Sequence, residues 1–326
     1  MARELWIFAE QNGGMIAPSY YEMLSKAKAV YADSKEQPCF AAVVLAGEDS
    51  VVATLKTSGV DKVIVAVDEK LATYNPALYT AVLAAMAEEL EPEILLVAAS
   101  AQGSEVAPSV SARLKTGLAA HCTELQLDEA EELHMIAPAF GGKLMGEYII
   151  PKCRPVMASI KPGVFESVEL PAVDAEVVTY KPDVLRDLRP GIELVSSEPV
   201  VETELPIEKA EVLVCAGLGS AVTGNFDKVK ALAKKLGASL CYTRPLADLG
   251  YMPNEHSMVG TSGKTVKPKL YLGFGVSGAA QHVCGMKDSG MIINVNNDAE
   301  ADSFKISNYK VVDDCGAILD ELLKQL

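Results

Sequence analysis

Between Thr243 and Asp314 the chain places glycines, hydroxyls and amides at the ends of short apolar runs. Thr243-Arg244-Pro245 comes first, then Val259-Gly260-Thr261-Ser262-Gly263-Lys264-Thr265. Next come Gly275-Val276-Ser277-Gly278-Ala279-Ala280-Gln281-His282 and Ile292-Ile293-Asn294-Val295-Asn296, and Asp314 follows a last apolar run. These residue types are poor at making and breaking bonds. Exposed backbone N–H groups and neutral side chains suit a large, flat, phosphate-bearing cofactor instead. Arg244 is the strongest fixed charge of the set.

Each motif has a plainer reading. The Gly273–Ala279 loop follows a strand-like run and precedes an expected helix near Ala279, where N–H groups and the helix dipole favour a pyrophosphate; close strand–helix packing is the alternative. Gly217-x-Gly219 begins like a dinucleotide fingerprint, but Gly224 falls two residues late for GxGxxG, so a tight turn explains it equally well. The Gly260–Thr265 segment lacks the GxxxxGKS/T spacing, so nucleotide hydrolysis is not supported; its hydroxyls suit a flavin or a phosphate, and a simple turn is the other reading. Arg244 alone reads as a surface ion pair or as a cation against the cofactor. His282 reads as structural or, four residues past Gly278, as part of the same site. Asn296 and Asp314, taken singly, are ordinary loop residues. Asp248 and His256 share a loop, but nothing orients them. With no acid–base pair, no activated nucleophile and no metal cluster, no catalytic or metal-binding residue is assigned, and a carrier is favoured over a bond-breaking enzyme.

These motifs need a scaffold. Leu5–Phe8, Ala41–Leu45, Val63–Val67 and Ile94–Ala98 read as buried strands. Between them, Tyr20–Tyr31, Asp49–Ser58, Asn75–Leu90 and Gly103–Leu114 read as helices, with Asn75-Pro76 a well-formed start. That alternation predicts a parallel sheet covered by helices on both faces. Cys122–Leu127, Leu133–Ala139, Leu144–Ile149 and Val156–Ile160 lack intervening helices, and Gly141-Gly142 marks a turn; an antiparallel extension is expected. The alternation restarts at Val212–Ala216, with strands at Ser239–Tyr242, Lys269–Phe274, Ile292–Val295 and Tyr309–Val312. A helix runs from about Asn225 to a stop at Gly237, and Cys315–Leu323 closes the chain. The fold class is therefore α/β, in two domains, each with a mainly parallel doubly wound sheet. The expected bounds are 1–190 for the first domain, 191–208 for a proline-rich linker in which Ile192–Val195 is a candidate edge strand, and 209–326 for the second. Ligands of such sheets sit at the carboxyl ends of the strands, where most of the polar motifs fall.

Composition narrows the function. The formal charge is −15, which argues against a nucleic-acid surface and against anionic membranes. The seven cysteines are scattered without a CxxC pair and read as small buried hydrophobes in a reducing compartment. The N-terminus is expected to enter a strand directly without the profile of a signal peptide, and no apolar run reaches membrane-spanning length uninterrupted, so no membrane insertion and a cytoplasmic location are expected.

Together these residues resemble the electron transfer flavoprotein α-subunit family. The match runs through Thr243-Arg244-Pro245, Gly260-x-x-Gly263-Lys264-Thr265-Val266-x-Pro268-x-Leu270-Tyr271, and Gly275-Val276-Ser277-Gly278-Ala279-x-Gln281-His282-x-x-Gly285-Met286-Lys287-Asp288-Ser289. Asn296-x-Asp298-x-Glu300-Ala301 and Phe304 continue it. The first domain fits more loosely, through Phe8-Ala9-Glu10, Pro92–Ser100 and Lys161-Pro162-Gly163-x-Phe165. The resemblance implies a heterodimer with a β subunit, an FAD held mainly by a Rossmann-like second domain, and a redox partner such as an acyl-CoA dehydrogenase or another flavin dehydrogenase. Thr243, Arg244, Val259, Gly260, Thr261, Ser262, Ser277, Gly278, Ala279, Ala280, Gln281, His282, Asn296 and Asp314 would line the FAD. Arg244 would lie near the flavin ring, His282 near its pyrimidine edge, and Asn296 and Asp314 on the adenosine portion. Two positions depart from the family: Leu218 stands where a Gly-Arg-Gly turn carries arginine, and Gly260-Thr261-Ser262-Gly263 replaces Gly-Gln-Thr-Gly. Some family members bind a second FAD in the β subunit and oxidise NADH in electron bifurcation, which this chain leaves open. The rival readings are a nucleotide-dependent enzyme with two α/β domains, and a cofactor-free scaffold whose glycines serve packing.

Overall fold

The computed structural model of the chain describes residues 3–140, 144–171, 173–189, 191–192, 194–196, 205–251 and 257–326. The chain divides into two compact units, Met1–Ser196 and Ser197–Leu326. Half of the expected linker, namely Glu193 and residues 197–204, lies outside the described residues, as do Gly141, Gly142 and His256. Ile192 and residues 194–196 join no strand, and Glu193 lies outside the described residues.

In the first unit β1 (Glu4–Phe8) is followed by a short hairpin of β2 (Gln11–Asn12) and β3 (Met15–Ile16), then α1 (Pro18–Val30), β4 (Cys39–Ala46), α2 (Val51–Lys56), β5 (Lys62–Val67), α3 (Pro76–Leu90), β6 (Ile94–Ala98) and α4 (Ala101–Leu114). Next come β7 (Leu118–Cys122), β8 (Glu124–Leu127), β9 (Leu133–Ala139), β10 (Leu144–Tyr148), β11 (Val156–Ile160) and β12 (Glu176–Tyr180). Among the described residues the main sheet has the order β12-β5-β4-β1-β6-β11-β7, and every pairing is parallel. Alternation along β1 shows why it is covered twice. Leu5 and Ile7 join one core with Tyr20, Met23 and Leu24 of α1, while Trp6 and Phe8 join the other with Leu78, Val82 and Leu83 of α3. Each such fully buried side chain contributes about 1.5–3 kcal/mol. Helix α3 starts where Asn75-Pro76 predicts: the Asn75 side chain accepts from the N–H groups of Ala77 and Leu78.

Two expectations for this unit are corrected. Val156–Ile160 does not belong to an antiparallel extension; as β11 it runs parallel between β6 and β7, buried at every position, as an interior parallel strand must be. The stretch expected as one strand from Cys122 to Leu127 is divided. His121 takes a left-handed conformation, β7 stays on the main sheet, and β8 starts the antiparallel sheet β10-β9-β8. In the polar stretch after Ala175 the structure adds the edge strand β12 beside β5, with Val178 and Tyr180 packed on the core.

The second unit contains β13 (Val212–Ala216), α5 (Leu218–Val222), α6 (Phe226–Leu236), β14 (Ser239–Tyr242), α7 (Arg244–Asp248), β15 (Leu270–Phe274), α8 (Ala280–Val283), β16 (Met291–Asn296), β17 (Tyr309–Val312) and α9 (Cys315–Gln325). Gly237, at φ 61°, ends α6 as expected. The sheet order is β14-β13-β15-β16-β17, all parallel, which is the 2-1-3-4-5 order of doubly wound sheets. Val214 and Ala216 face one core; Leu213 and Cys215 face the other.

Candidate cofactor site

In the second unit the chain leaves β13 towards β14 on one side and later returns to build β15 on the other side. The loops after β13 and β15 therefore diverge, and the crevice between them is where this fold binds ligands. Glycines bring the two loops together. A Cβ on Gly217 would lie 2.1 Å from the carbonyl oxygen of Gly275, and one on Gly275 would lie 2.4 Å from the Ser220 nitrogen. Gly275 also holds φ at 66°, in the left-handed region. The N–H of Gly217 is spent on Phe274 and that of Gly219 on Gly275. The plainer reading of Gly217-x-Gly219 is the observed one: a tight turn that packs against its neighbour.

Above these loops lies a cavity of about 770 Å³, large enough for a big cofactor. Thr243, Arg244, residues 259–262 and 277–279, Gln281, His282 and Asn296 all line it. Four strand ends thus deliver the sequence motifs to one place. Ala280 and Asp314 are not among the lining residues. Ala280 opens α8 between two residues that do line the cavity. The Asp314 carboxylate accepts from the N–H of Ala317 and caps α9.

Among the described lining residues Arg244 is the one cation, and it is loosely held. Its guanidinium is two-thirds exposed, 3.7 Å from Asp248 and 3.5 Å from the Ser262 hydroxyl. A cation so weakly paired can be redirected to a ligand at little cost. Residues 258–264 form a closed turn, with Lys264 N–H on Met258, Gly260 N–H on Lys264 and Thr261 N–H on Gln281. Those N–H groups are committed, so this segment offers hydroxyls, not a phosphate cradle. Asn296 is buried and used at both ends: its amide donates to Val276 at 3.0 Å and its oxygen accepts from Asp298 N–H. It braces the glycine loop. His282 is only 6% exposed, and both its nitrogens face protein atoms: Nδ1 the Val259 carbonyl at 3.0 Å, Nε2 the Tyr271 hydroxyl at 2.7 Å.

The structure adds lining residues that the motif reading did not assign to the site, among them Leu218, Val222, Asp298, Glu300 and Asp302. A signal for the last three existed in the polar Asn296-to-Ala301 stretch after an apolar strand. Leu218 was marked only by the resemblance, as the position of the family's arginine, and Val222 carried no signal, because an apolar residue beside a ligand looks like any other. Elsewhere, Asp128 and Glu132 in the turn between β8 and β9 and His134 on β9 offer ligand atoms within 4.8 Å of one another. The Glu147 carboxylate pairs with the ring and holds the His134 pKa above its usual value, which favours a proton there.

The family model described as electron transfer flavoprotein domain matches residues 5–185, and that described as electron transfer flavoprotein FAD-binding domain matches residues 206–287. The chain is 33% identical to the electron transfer flavoprotein subunit alpha of Thermoanaerobacterium thermosaccharolyticum, over 99% of this chain and 98% of the relative. This chain belongs to the electron transfer flavoprotein α-subunit family. It is also 37% identical to Protein FixB of Clostridium saccharobutylicum, over 98% of this chain and 95% of that one. With the subunit LctC of the lactate dehydrogenase (NAD(+),ferredoxin) of Acetobacterium woodii it shares 32% identity, over 99% of this chain and 77% of the relative. Family membership decides among the open readings in favour of electron transfer, with FAD as the cofactor. α subunits of this family work with a β subunit and with redox partners. Among the described residues no helix is long and apolar enough to cross a membrane.

Proposed function

We propose that the cavity between the loops after β13 and β15 holds the FAD of an electron-carrying heterodimer formed with a β subunit, which takes electrons from one redox protein, such as an acyl-CoA dehydrogenase, and passes them to another. The observation that carries this reading is a large cavity at the switch point, whose described lining brings together hydroxyls, amides and one loosely paired cation, with the carboxylates of Asp248, Asp298, Glu300 and Asp302 also on its wall. That donor set fits the group. A flavin ring needs neutral hydrogen-bonding partners and a nearby positive charge, and it asks for no acid–base dyad.

FAD supplies the redox chemistry; the chain's residues bind, orient and exclude water. Arg244 is assigned to the flavin ring, with the hydroxyls of Thr261 and Ser262 beside it. Ser277, Gly278, Ala279, Ala280 and Gln281 are assigned to the pyrophosphate. With its nitrogens engaged, His282 presents its ring edge, not a nitrogen, to the ligand. Asn296 braces the loop at the adenosine end, and Asp314, at the end of the neighbouring strand β17, is assigned to that end beyond the cavity lining. The apolar Leu218 leaves the phosphates one cation fewer than the family resemblance implies.

A second reading is electron bifurcation, favoured by the similarity to a subunit named for both NAD(+) and ferredoxin. One experiment separates the two: co-expression with the β partner and measurement of bound FAD per heterodimer by visible absorbance and acid release. One FAD supports the simple carrier. Two, with NADH oxidation coupled to ferredoxin reduction, support bifurcation. A folded complex with none overturns the proposal.

A further inference from the structure

Behind the cavity wall four titratable side chains meet in the core: Cys215 from β13, Cys241 from β14, Tyr271 from β15 and His282 from α8. Cys215, Cys241 and Tyr271 are fully buried, and Cys215 and Cys241 are register partners on adjacent parallel strands. The Cys215 sulfur lies 3.9 Å from His282 Nε2 and also interacts with the Tyr271 hydroxyl. It also meets the Cys241 thiol and the carbonyl of Ala216, the latter at 3.9 Å.

The hydrogens of this cluster can be assigned from chemistry. The Val259 carbonyl only accepts, so Nδ1 of His282 carries a hydrogen in either charge state. With the ring neutral, Nε2 accepts the Tyr271 hydroxyl hydrogen at 2.7 Å. When Nε2 is protonated as well, two donors would face each other, so the phenol hydrogen must turn to another acceptor. The Cys215 sulfur is that acceptor, and it accepts well only as a thiolate.

We infer that Cys215 is a positioning residue for the cofactor site: Cys215, Tyr271 and His282 share one proton, which leaves Sγ and settles on Nε2. The S–H bond breaks, the Nε2–H bond forms, the phenol hydrogen turns to the sulfur, and no proton is drawn from solvent. The result is a positive ring at the cavity wall. Burial alone would raise the Cys215 thiol, but the bonds to Cys241 and His282 outweigh it and hold the thiol below its ordinary value. The imidazole is held above its own, Cys215 outweighing the effect of burial. Burial keeps Cys241 and Tyr271 protonated, so the proton's two resting places are Cys215 and His282.

The use of this device rests on the FAD reading, because a flavin gains negative charge on reduction. The test is made on the full chain in complex with its β partner. His282 is titrated by nuclear magnetic resonance with isotope-labelled histidine, and the ultraviolet band of a thiolate is followed in the same samples. Cys215→Ser preserves size and removes the ionisable thiol; Cys215→Ala removes the acceptor. Both are expected to lower the proton affinity of the ring about tenfold and to abolish the thiolate band. An imidazole that titrates as in the native chain in both variants overturns the inference while leaving the FAD reading intact. A complex without FAD would sink the FAD reading, while the titration difference would still be measured.

Discussion

Glu10 shows at the scale of one residue how the first unit treats its own switch point. The loops after β1 and β6 diverge there, as those after β13 and β15 do in the second unit. The Ser100 hydroxyl, at the N-cap of α4, donates to the Glu10 carboxylate at 2.6 Å and accepts from Gly103 N–H. The protein thus places its own anion where a ligand phosphate would sit on a helix start. Burial raises the Glu10 pKa and the Ser100 bond offsets only part of that. A raised carboxyl pKa means that the stabilising contribution is fully present below the ordinary carboxylate range and is lost as pH rises through the folded-state value. Glu10→Gln is therefore expected to raise the melting temperature at neutral pH, with the gain vanishing in acid. Thermal unfolding of both proteins across that range checks it, and a gain that grows in acid would reverse the assignment.

At the scale of elements, the site depends on one tight loop. Gly278 holds φ at 88°, and a Cβ there would lie 2.0 Å from the Ser303 nitrogen. Gly224 holds φ at 73° with open space around it. Gly224→Ala is expected to cost about 1–2 kcal/mol for the left-handed conformation alone. Gly278→Ala adds a backbone clash worth a further ~1–3 kcal/mol and displaces the loop from the cavity. Chemical denaturation and retained FAD separate the two: only Gly278→Ala is expected to lose cofactor. Equal losses in both variants would mean that strain, not the approach of residues 302–303, shapes the loop.

At the scale of the whole molecule, each compact unit has cores of its own, and the cavity lies within the second. FAD binding is expected to slow amide hydrogen exchange around residues 216–219 and 275–282 and to leave β1, β4 and β6 unchanged. Protection centred on the first unit would relocate the site. Runs such as Ile94–Ala98 and Val212–Ala216 determined by themselves that there are buried strands, because a strand covered on both faces is apolar throughout, and their alternation with helical segments determined that these run parallel. The density of hydroxyls, amides and glycines after those runs determined that the second unit holds the cofactor, because strand ends are where such groups can reach a ligand. Only the tertiary structure decided that Val156–Ile160 enters the parallel sheet, since a short apolar run has the same pattern in either direction. Only it showed that Gly217 and Gly275 serve each other, that Asn296 braces a loop and that His282 spends both nitrogens on Tyr271 and Val259. Those outcomes depend on partners tens of residues away, and a side chain's partners are set by packing, which residue type and spacing do not encode.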